Sequence, residues 1–162
     1  MVLPNILPAI PEIFLAVAAL LLLMIGVFTK EDRAMRLVSR LAVLTVFLVL
    51  GLILLQSQLD VITFGGMFAL NSFTVFTKVL MLLGSLLTLL ISQDYARRED
   101  MARFEFPVLI LFSSVGMMMM ISANDLVALY LGLELQSLPL YVIAAFQRNT
   151  MQSSEAGLKY FV

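Results

Sequence analysis

The sequence predicts an all-α integral membrane protein, a polytopic bundle with five full transmembrane helices and the start of a sixth. Three observations predict this class. Hydrophobic residues make up 62% of the 162 positions and charged residues only 13%. Mean hydropathy is +1.05, and the apolar residues gather in runs long enough to cross a bilayer. A soluble domain of this length cannot bury so much apolar surface.

Five apolar windows have the length of a membrane span. A hydrocarbon layer of about 30 Å needs about 17–25 helical residues, and a helix satisfies its own backbone amides within lipid. Pro11 and Pro107 suit the first turns of the helices that they open. A sixth helix is expected to begin near Ser153 or Ser154, either of which could cap it. The five windows cover residues 11–29, 37–56, 73–92, 106–122 and 126–146.

The connections between these windows alternate in charge. Basic residues lie on the first, third and fifth connections, whereas the second and fourth carry Asp60 and Asp125 and no Lys or Arg. By the positive-inside rule the odd connections face the cytoplasm or an organelle matrix, and the N-terminus faces outward. Gly65 and Gly66 mark a turn in the second connection. The basic residues in question are Lys30, Arg33, Arg36, Arg97, Arg98, Arg103 and Arg148.

The composition also excludes several kinds of site. The chain has no cysteine and no histidine, so thiolate metal sites, cysteine-ligated iron–sulfur clusters and the usual haem ligand are not expected in it. Any electron transfer would have to run through another subunit. Without a long basic patch, nucleic acid is not an expected partner.

The fifth window carries one charge, Glu134, near its centre. A charge at the bilayer centre costs about 2.5–3.5 kcal/mol on insertion scales, so intramembrane ionisable residues are functional candidates by default. Tyr130, Ser137 and Tyr141 follow the same helical stripe and are candidates for a hydrogen-bonded proton path. Pro139 should kink the helix and free the carbonyl of Leu135. The alternative is a glutamate that only joins helices.

Two lysines are further candidates. Lys78 lies about six residues into the third window, where it could either act in a pathway or extend its flexible side chain to the surface. Lys159 follows Glu155 by four residues, a favourable spacing for a surface ion pair. If the sixth helix continues into the membrane, Lys159 could instead approach the helix of Glu134.

One stretch resembles a known family closely. The segments "SANDLVALYLGLELQSL" and "EAGLKYF" are similar to subunit N of the proton-pumping NADH:quinone oxidoreductase, respiratory complex I, an antiporter-like membrane subunit. The resemblance implies inverted helical repeats and a pairing between the glutamate of the fifth helix, here Glu134, and lysine on a neighbouring helix. Lys159 occupies the lysine position of the second segment. The resemblance also implies that residues 1–105 form an N-terminal three-helix region and that residues 106–162 begin a longer antiporter-like repeat, which is cut short here.

The resemblance implies a function and a setting. The chain would be a non-redox subunit of the membrane arm that contributes to proton translocation, with Glu134 alternating between ionised and protonated forms as a cation approaches or withdraws. NADH, flavin and iron–sulfur clusters would bind other subunits, and quinone would bind elsewhere in the complex. Expected partners are other antiporter-like and small membrane-arm subunits, and lipids. The expected location is the bacterial cytoplasmic membrane, or alternatively the mitochondrial inner membrane. A cation/proton antiporter subunit and a structural spacer remain alternatives.

Overall fold

The computed structural model describes residues 5–57, 59–98, 103–146 and 151–161, without the side chains of 31, 32, 93–98, 152 and 154. A 3-10 turn, Leu7–Ala9, leads into the first helix, and a second, Phe64–Gly66, lies between the two strands named below. Six helices follow: α1 (Ile10–Phe28), α2 (Glu31–Leu55), α3 (Ser72–Arg98), α4 (Glu105–Ser122), α5 (Leu126–Ala144) and α6 (Met151–Phe161). A two-stranded hairpin, β1 (Val61–Thr63) and β2 (Phe68–Leu70), lies between α2 and α3.

The first five helices are long and apolar enough to cross a membrane. They agree with the five predicted windows to within a few residues, and the prediction of an all-α membrane bundle is confirmed. Pro11 and Pro107 do lie in the first turns of α1 and α4. Asp125 caps α5, because its carboxylate accepts a hydrogen bond of 2.6 Å from the amide of Ala128.

The predicted start of the sixth helix is wrong. α6 already includes Met151, so Ser153 lies inside the helix rather than at its cap. Its hydroxyl donates 3.0 Å to the carbonyl of Ala144 at the end of α5. The serine therefore ties α6 back to the preceding helix, a tertiary contact that local capping preferences do not reveal.

α4 is the central helix, since it packs against α1, α3 and α5, while α2 closes the bundle by packing on α1 and α3. Among the described residues, the core is one cluster of apolar side chains from the first four helices and from Leu70 of β2. α5 is much less enclosed and keeps a broad apolar face exposed. Fully buried core residues include Leu15, Val38, Val46, Leu82, Leu111 and Met118.

The hairpin defines one end of the bundle, called here the hairpin end, and the opposite end, where Arg33, Arg36 and Arg103 lie, is called the basic end. The sequence predicts the turn at Gly65 and Gly66, which have φ of 66° and 97°. It misses the strands, because three residues on each side are too few for an alternating pattern. Asn124 fixes the hairpin to the α4–α5 connection by donating 2.8 Å to the carbonyl of Gly66.

Candidate functional site

An ion pair is enclosed between α1 and α3 near the hairpin end. The Nζ atom of Lys78 lies 2.5 Å from Oε1 of Glu12, and the two side chains are 0% and 6% exposed. At a rise of about 1.5 Å per residue, both residues lie within roughly 10 Å of the hairpin ends of their helices. The expectation that Lys78 extends to the surface is therefore wrong, because a buried carboxylate from another helix holds its ammonium group inside.

The hairpin covers this ion pair with an aromatic ring. The Nζ atom of Lys78 lies 5.0 Å from the centre of the Phe68 ring, within range of a cation–π interaction. The hairpin itself is held in place because the hydroxyl of Thr63 donates 2.9 Å to the carbonyl of Asn5. The ammonium group thus has a carboxylate on one side and an aromatic face on another.

The pair leaves hydrogen-bonding capacity unused. Apart from their mutual contact, the Glu12 carboxylate and the Lys78 ammonium have no hydrogen-bond partner in the described part of the chain. A cavity of about 530 Å³ opens beside Glu12, between α1, the hairpin, α4 and α5. The other lining residues are apolar, such as Met119 and Leu135, so Glu12 is its one ionisable lining residue among those described.

Glu134 lies half-buried on α5, the ninth of its 19 residues and about 12 Å from the hairpin end of the helix. Tyr130 lies one turn earlier, with its hydroxyl near the Glu134 carboxylate. Tyr130 is exposed. The two residues therefore lie toward the open side of α5, away from the enclosed pair on α1 and α3.

Two glycines fix the orientation of α5 against α4. A Cβ atom at Gly116 would collide with the backbone nitrogen of Gln136, and one at Gly132 would lie 2.8 Å from the side chain of Met120. The two backbones consequently approach more closely than any residue with a side chain permits. This close contact determines which side of α5 faces α4 and hence where Glu134 points.

The rest of the predicted stripe does not form one connected path. The hydroxyl of Ser137 donates 2.7 Å to the carbonyl of Leu133 in its own helix. The ring of Tyr141 packs edge-to-face on Tyr160 of α6, with 5.1 Å between ring centres. Pro139 is buried, and α5 continues as one helix through it. The structure therefore places the hydroxyl of Tyr130 near Glu134, whereas Ser137 and Tyr141 make local contacts.

Lys159 lies on α6 and pairs within its own helix. Its Nζ atom is 3.0 Å from Oε1 of Glu155, and its side chain is 73% exposed. α6 nevertheless packs on α5 at the basic end, through the Tyr141 contact and through Gly157 against Ala145. The structure thus shows the surface pair that the four-residue spacing predicts and does not bring Lys159 to Glu134.

Sequence reasoning missed Glu12. An acid in the first turn of a helix is ordinary, because it complements the helix dipole there. The available signal was its end of the bundle: Glu12 and Lys78 both lie in the first two turns of apolar windows that open at the same end. Among the described residues, no group of three or more His, Cys, Asp or Glu could hold a metal ion.

Comparisons with known proteins agree on one family. Residues 123–162 match the family described as "NADH:quinone oxidoreductase/Mrp antiporter, TM". NADH-quinone oxidoreductase subunit N of Rhodospirillum rubrum is 55% identical over 157 residues, 96% of this chain and 32% of that protein. The same subunit of Parvibaculum lavamentivorans is 51% identical over 160 residues, 98% of this chain and 33% of that protein.

A solved structure shows the same fold. A chain of respiratory complex I from Thermus thermophilus, determined with bound aureothin, superimposes with a TM-score of 0.75 and is 30% identical. The match covers 93% of this chain and 32% of that chain. This chain accordingly spans about a third of the length of the relatives that it matches.

Fold and site together define a multi-pass membrane protein of the antiporter-like class, with ionisable residues inside its apolar spans. Over the third of their length that it covers, the chain belongs to the family of NADH-quinone oxidoreductase subunit N.

Proposed function

We propose that this chain is part of a membrane-arm subunit of NADH:quinone oxidoreductase and contributes to redox-driven proton translocation through intramembrane glutamate and lysine residues. The observation that carries the proposal is Glu134, a carboxylate well inside a spanning helix of a chain about half identical to subunit N relatives. A carboxylate is costly to keep at that depth unless it has a use.

In this proposal Glu134 binds and releases the transported proton. A nearby positive charge favours its ionised form and loss of hydration favours its neutral form, so the approach or withdrawal of a cation would load or release a proton. Tyr130 is exposed, and its hydroxyl lies near the carboxylate, where it can both donate and accept in a hydrogen-bonded proton chain. Lys159 is the proposed second charge, because α6 packs on α5 and its long side chain can leave Glu155.

The redox chemistry would take place in other subunits. We propose that NADH, flavin and iron–sulfur clusters bind there, that quinone binds elsewhere in the complex, and that this chain is a non-redox component. The partners would be other antiporter-like and small membrane-arm subunits, with lipid around the exposed apolar faces. The similarity to bacterial proteins supports a bacterial cytoplasmic membrane, and the basic residues favour an orientation with the hairpin end facing outward.

The test uses native membranes in which the assembled complex carries Glu134→Ala or Glu134→Asp. NADH-driven quinone reduction and proton uptake are recorded in parallel, after the amount of assembled complex has been matched to wild type. Ala should lose both activities, whereas Asp, which retains a carboxylate, should keep much of each. If both variants pump normally, Glu134 only joins helices and the chain acts as a spacer.

A second candidate is a subunit of a cation/proton antiporter, which the description of the matching family also includes. It would use the same Glu134 but respond to sodium or potassium rather than to quinone. Repeating the proton-uptake measurement with each cation, with and without quinone, separates the two. Dependence on the cation without dependence on NADH or quinone would favour the antiporter.

A further inference from the structure

We infer that a groove at the basic end binds a phospholipid whose headgroup carries both a phosphate and a primary ammonium. The groove lies between α1, α4 and α5 and has a volume of about 260 Å³. Arg103 and Glu105 are the charged residues that line it, and its other lining residues are apolar, such as Phe112 and Val142. The inference goes beyond the proposed function and does not depend on whether Glu134 carries protons.

The groove runs from the end of the bundle into its apolar part. Glu105 is the first residue of α4, and Ala145 directly follows the last residue of α5, so both mark the basic end. Phe112 follows Glu105 by seven residues, which is about 10 Å further along the helix. The charges thus lie at the membrane surface and the apolar lining lies in the hydrocarbon. This is the order of a lipid headgroup and its acyl chain.

Aromatic contacts hold the backbone that carries the two charged residues. The ring of Phe104 packs so closely on α1 that a Cβ atom at Gly26 would collide with it. Phe106 packs edge-to-face on Phe146, which follows α5, with 5.7 Å between the ring centres. The start of α4 is therefore fixed against both neighbouring helices. The two charges stand at the mouth of a groove that is already formed.

The carboxylate of Glu105 lacks a hydrogen-bond donor. Its Oε2 atom is buried and has no hydrogen-bond partner in the part of the chain that the structure describes. A buried carboxylate oxygen in this condition is costly, because nothing replaces the water that it has lost. A cationic group that carries N–H donors would satisfy it.

Arg103 supplies the opposite charge. Its side chain is exposed, and no ion pair joins it to an acid among the described residues. A guanidinium group binds phosphate oxygens through two parallel N–H bonds. A ligand that satisfies both Arg103 and Glu105 therefore combines an anionic and a cationic group in one head, and its apolar tail follows the groove.

The same two residues discriminate among phospholipids. A choline headgroup ends in a quaternary ammonium, which has no N–H to donate, and it would leave Oε2 of Glu105 without a partner. A glycerol headgroup carries a net negative charge and would place a second anion beside the Glu105 carboxylate. An ethanolamine headgroup offers a phosphate to Arg103 and three N–H donors to Glu105. Phosphatidylethanolamine is accordingly the expected ligand.

The experiment uses the full-length protein, isolated from native membranes with its associated subunits. It is reconstituted into vesicles of phosphatidylethanolamine, phosphatidylcholine and phosphatidylglycerol in equal amounts. In separate samples one of the three lipids carries a photoactivatable diazirine on its acyl chain, and mass spectrometry locates the cross-links. Labelling of residues 104–112 and 142–146 by phosphatidylethanolamine should exceed labelling by either other lipid by about tenfold, the effect of one hydrogen bond to a charged group. Equal labelling by the three lipids, or none in these segments, would overturn the inference.

Two variants test the two contacts separately. Glu105→Gln should reduce labelling by phosphatidylethanolamine to the level of phosphatidylcholine. Glu155→Gln is the matched control, because Glu155 is an exposed acid of α6 that pairs with Lys159, and it should keep the preference. Arg103→Gln should lower labelling by all three lipids by about tenfold, since they share the phosphate, whereas Arg33→Gln on α2 should not.

The variants also give the results that would contradict the assignment. A preference for phosphatidylethanolamine that survives Glu105→Gln would overturn the inference, and so would unchanged labelling in Arg103→Gln. The comparison of the three lipids on the wild-type protein needs no substitution, so it decides the matter even where a variant fails to assemble.

Discussion

The ionisable residues of the first three helices and those of α5 are kept inside the membrane in different ways. Lys78 and Glu12 come from two helices, neutralise one another and are sealed beneath the hairpin. Glu134 has a neutral hydroxyl beside it and lies on a helix that is mostly exposed. A charge whose partner belongs to the same bundle can be buried completely. The environment of Glu134, in contrast, depends on the molecules that lie against the open side of α5.

The largest expected effect comes from breaking the enclosed pair on one side only. Either Lys78→Met or Glu12→Gln should destabilise the protein, because each change leaves a buried charge without its partner. For Lys78→Met the expected loss is about 3–5 kcal/mol. The double variant should be near wild type, since replacing both charges is often neutral. The temperature at which the detergent-solubilised complex dissociates measures this. Single variants as stable as the double would show that the pair is not enclosed as described.

A smaller effect is expected from separating α4 and α5. Gly116→Ala places a methyl group against the backbone of Gln136 and should cost about 1–3 kcal/mol through overpacking. It should also turn Glu134 away from its present position and slow proton uptake. Gly84→Ala is the control, because nothing lies within 4 Å of its added Cβ atom. Similar proton uptake in the two variants would mean that the close contact does not position Glu134.

Loosening the hairpin should have a still smaller effect, confined to the hairpin end. Asn124→Ala removes the 2.8 Å hydrogen bond to Gly66 and should cost about 1 kcal/mol. The hairpin that carries Phe68 should then open more readily, which native-state hydrogen exchange of residues 61–70 would detect. Faster exchange throughout α1 and α3, rather than in the hairpin, would contradict the view that the hairpin can open without disturbing the helices that carry the Glu12–Lys78 pair.

The smallest effect on stability should come from the exposed pair. Lys159→Met removes a solvent-exposed pair with Glu155 and should change stability by less than about 0.5 kcal/mol. Its effect on proton uptake is informative for that reason: a loss of uptake at unchanged stability would support a transport role for Lys159. Unchanged proton uptake would mean that Lys159 is only a surface residue, unlike the buried Lys78.

Much of the fold can be predicted from the sequence, because spans are set by local hydropathy and length. The five helices follow from apolar windows, and Asp125 and Pro107 fall at helix starts as local rules require. The hairpin strands and the Ser153 contact could not be predicted, since both depend on a neighbouring segment. The ion pair shows the same limit: Lys78 stands out by its depth, but only the arrangement of α1 and α3 around α2 and α4 identifies Glu12 as its partner.

For Glu134 the sequence reveals the depth of the residue in its helix but not the side chains that surround it. Its place within the helix follows from counting residues, and Tyr130 from helical spacing. The spacing also suggested Ser137 and Tyr141 as members of a path, but a hydroxyl in a helix can bond to its own backbone and an aromatic ring can pack on a later helix. Which of these happens is decided by tertiary contacts.

The central claim is that the carboxylate of Glu134 carries protons, and one ratio tests it most directly. Protons taken up per NADH oxidised should be measured for Glu134→Gln beside Leu138→Gln, which places the same amide one turn along the exposed side of α5. We expect the Glu134 variant to lose coupled proton uptake while the Leu138 variant keeps the wild-type ratio. Equal, wild-type ratios in both would contradict the claim.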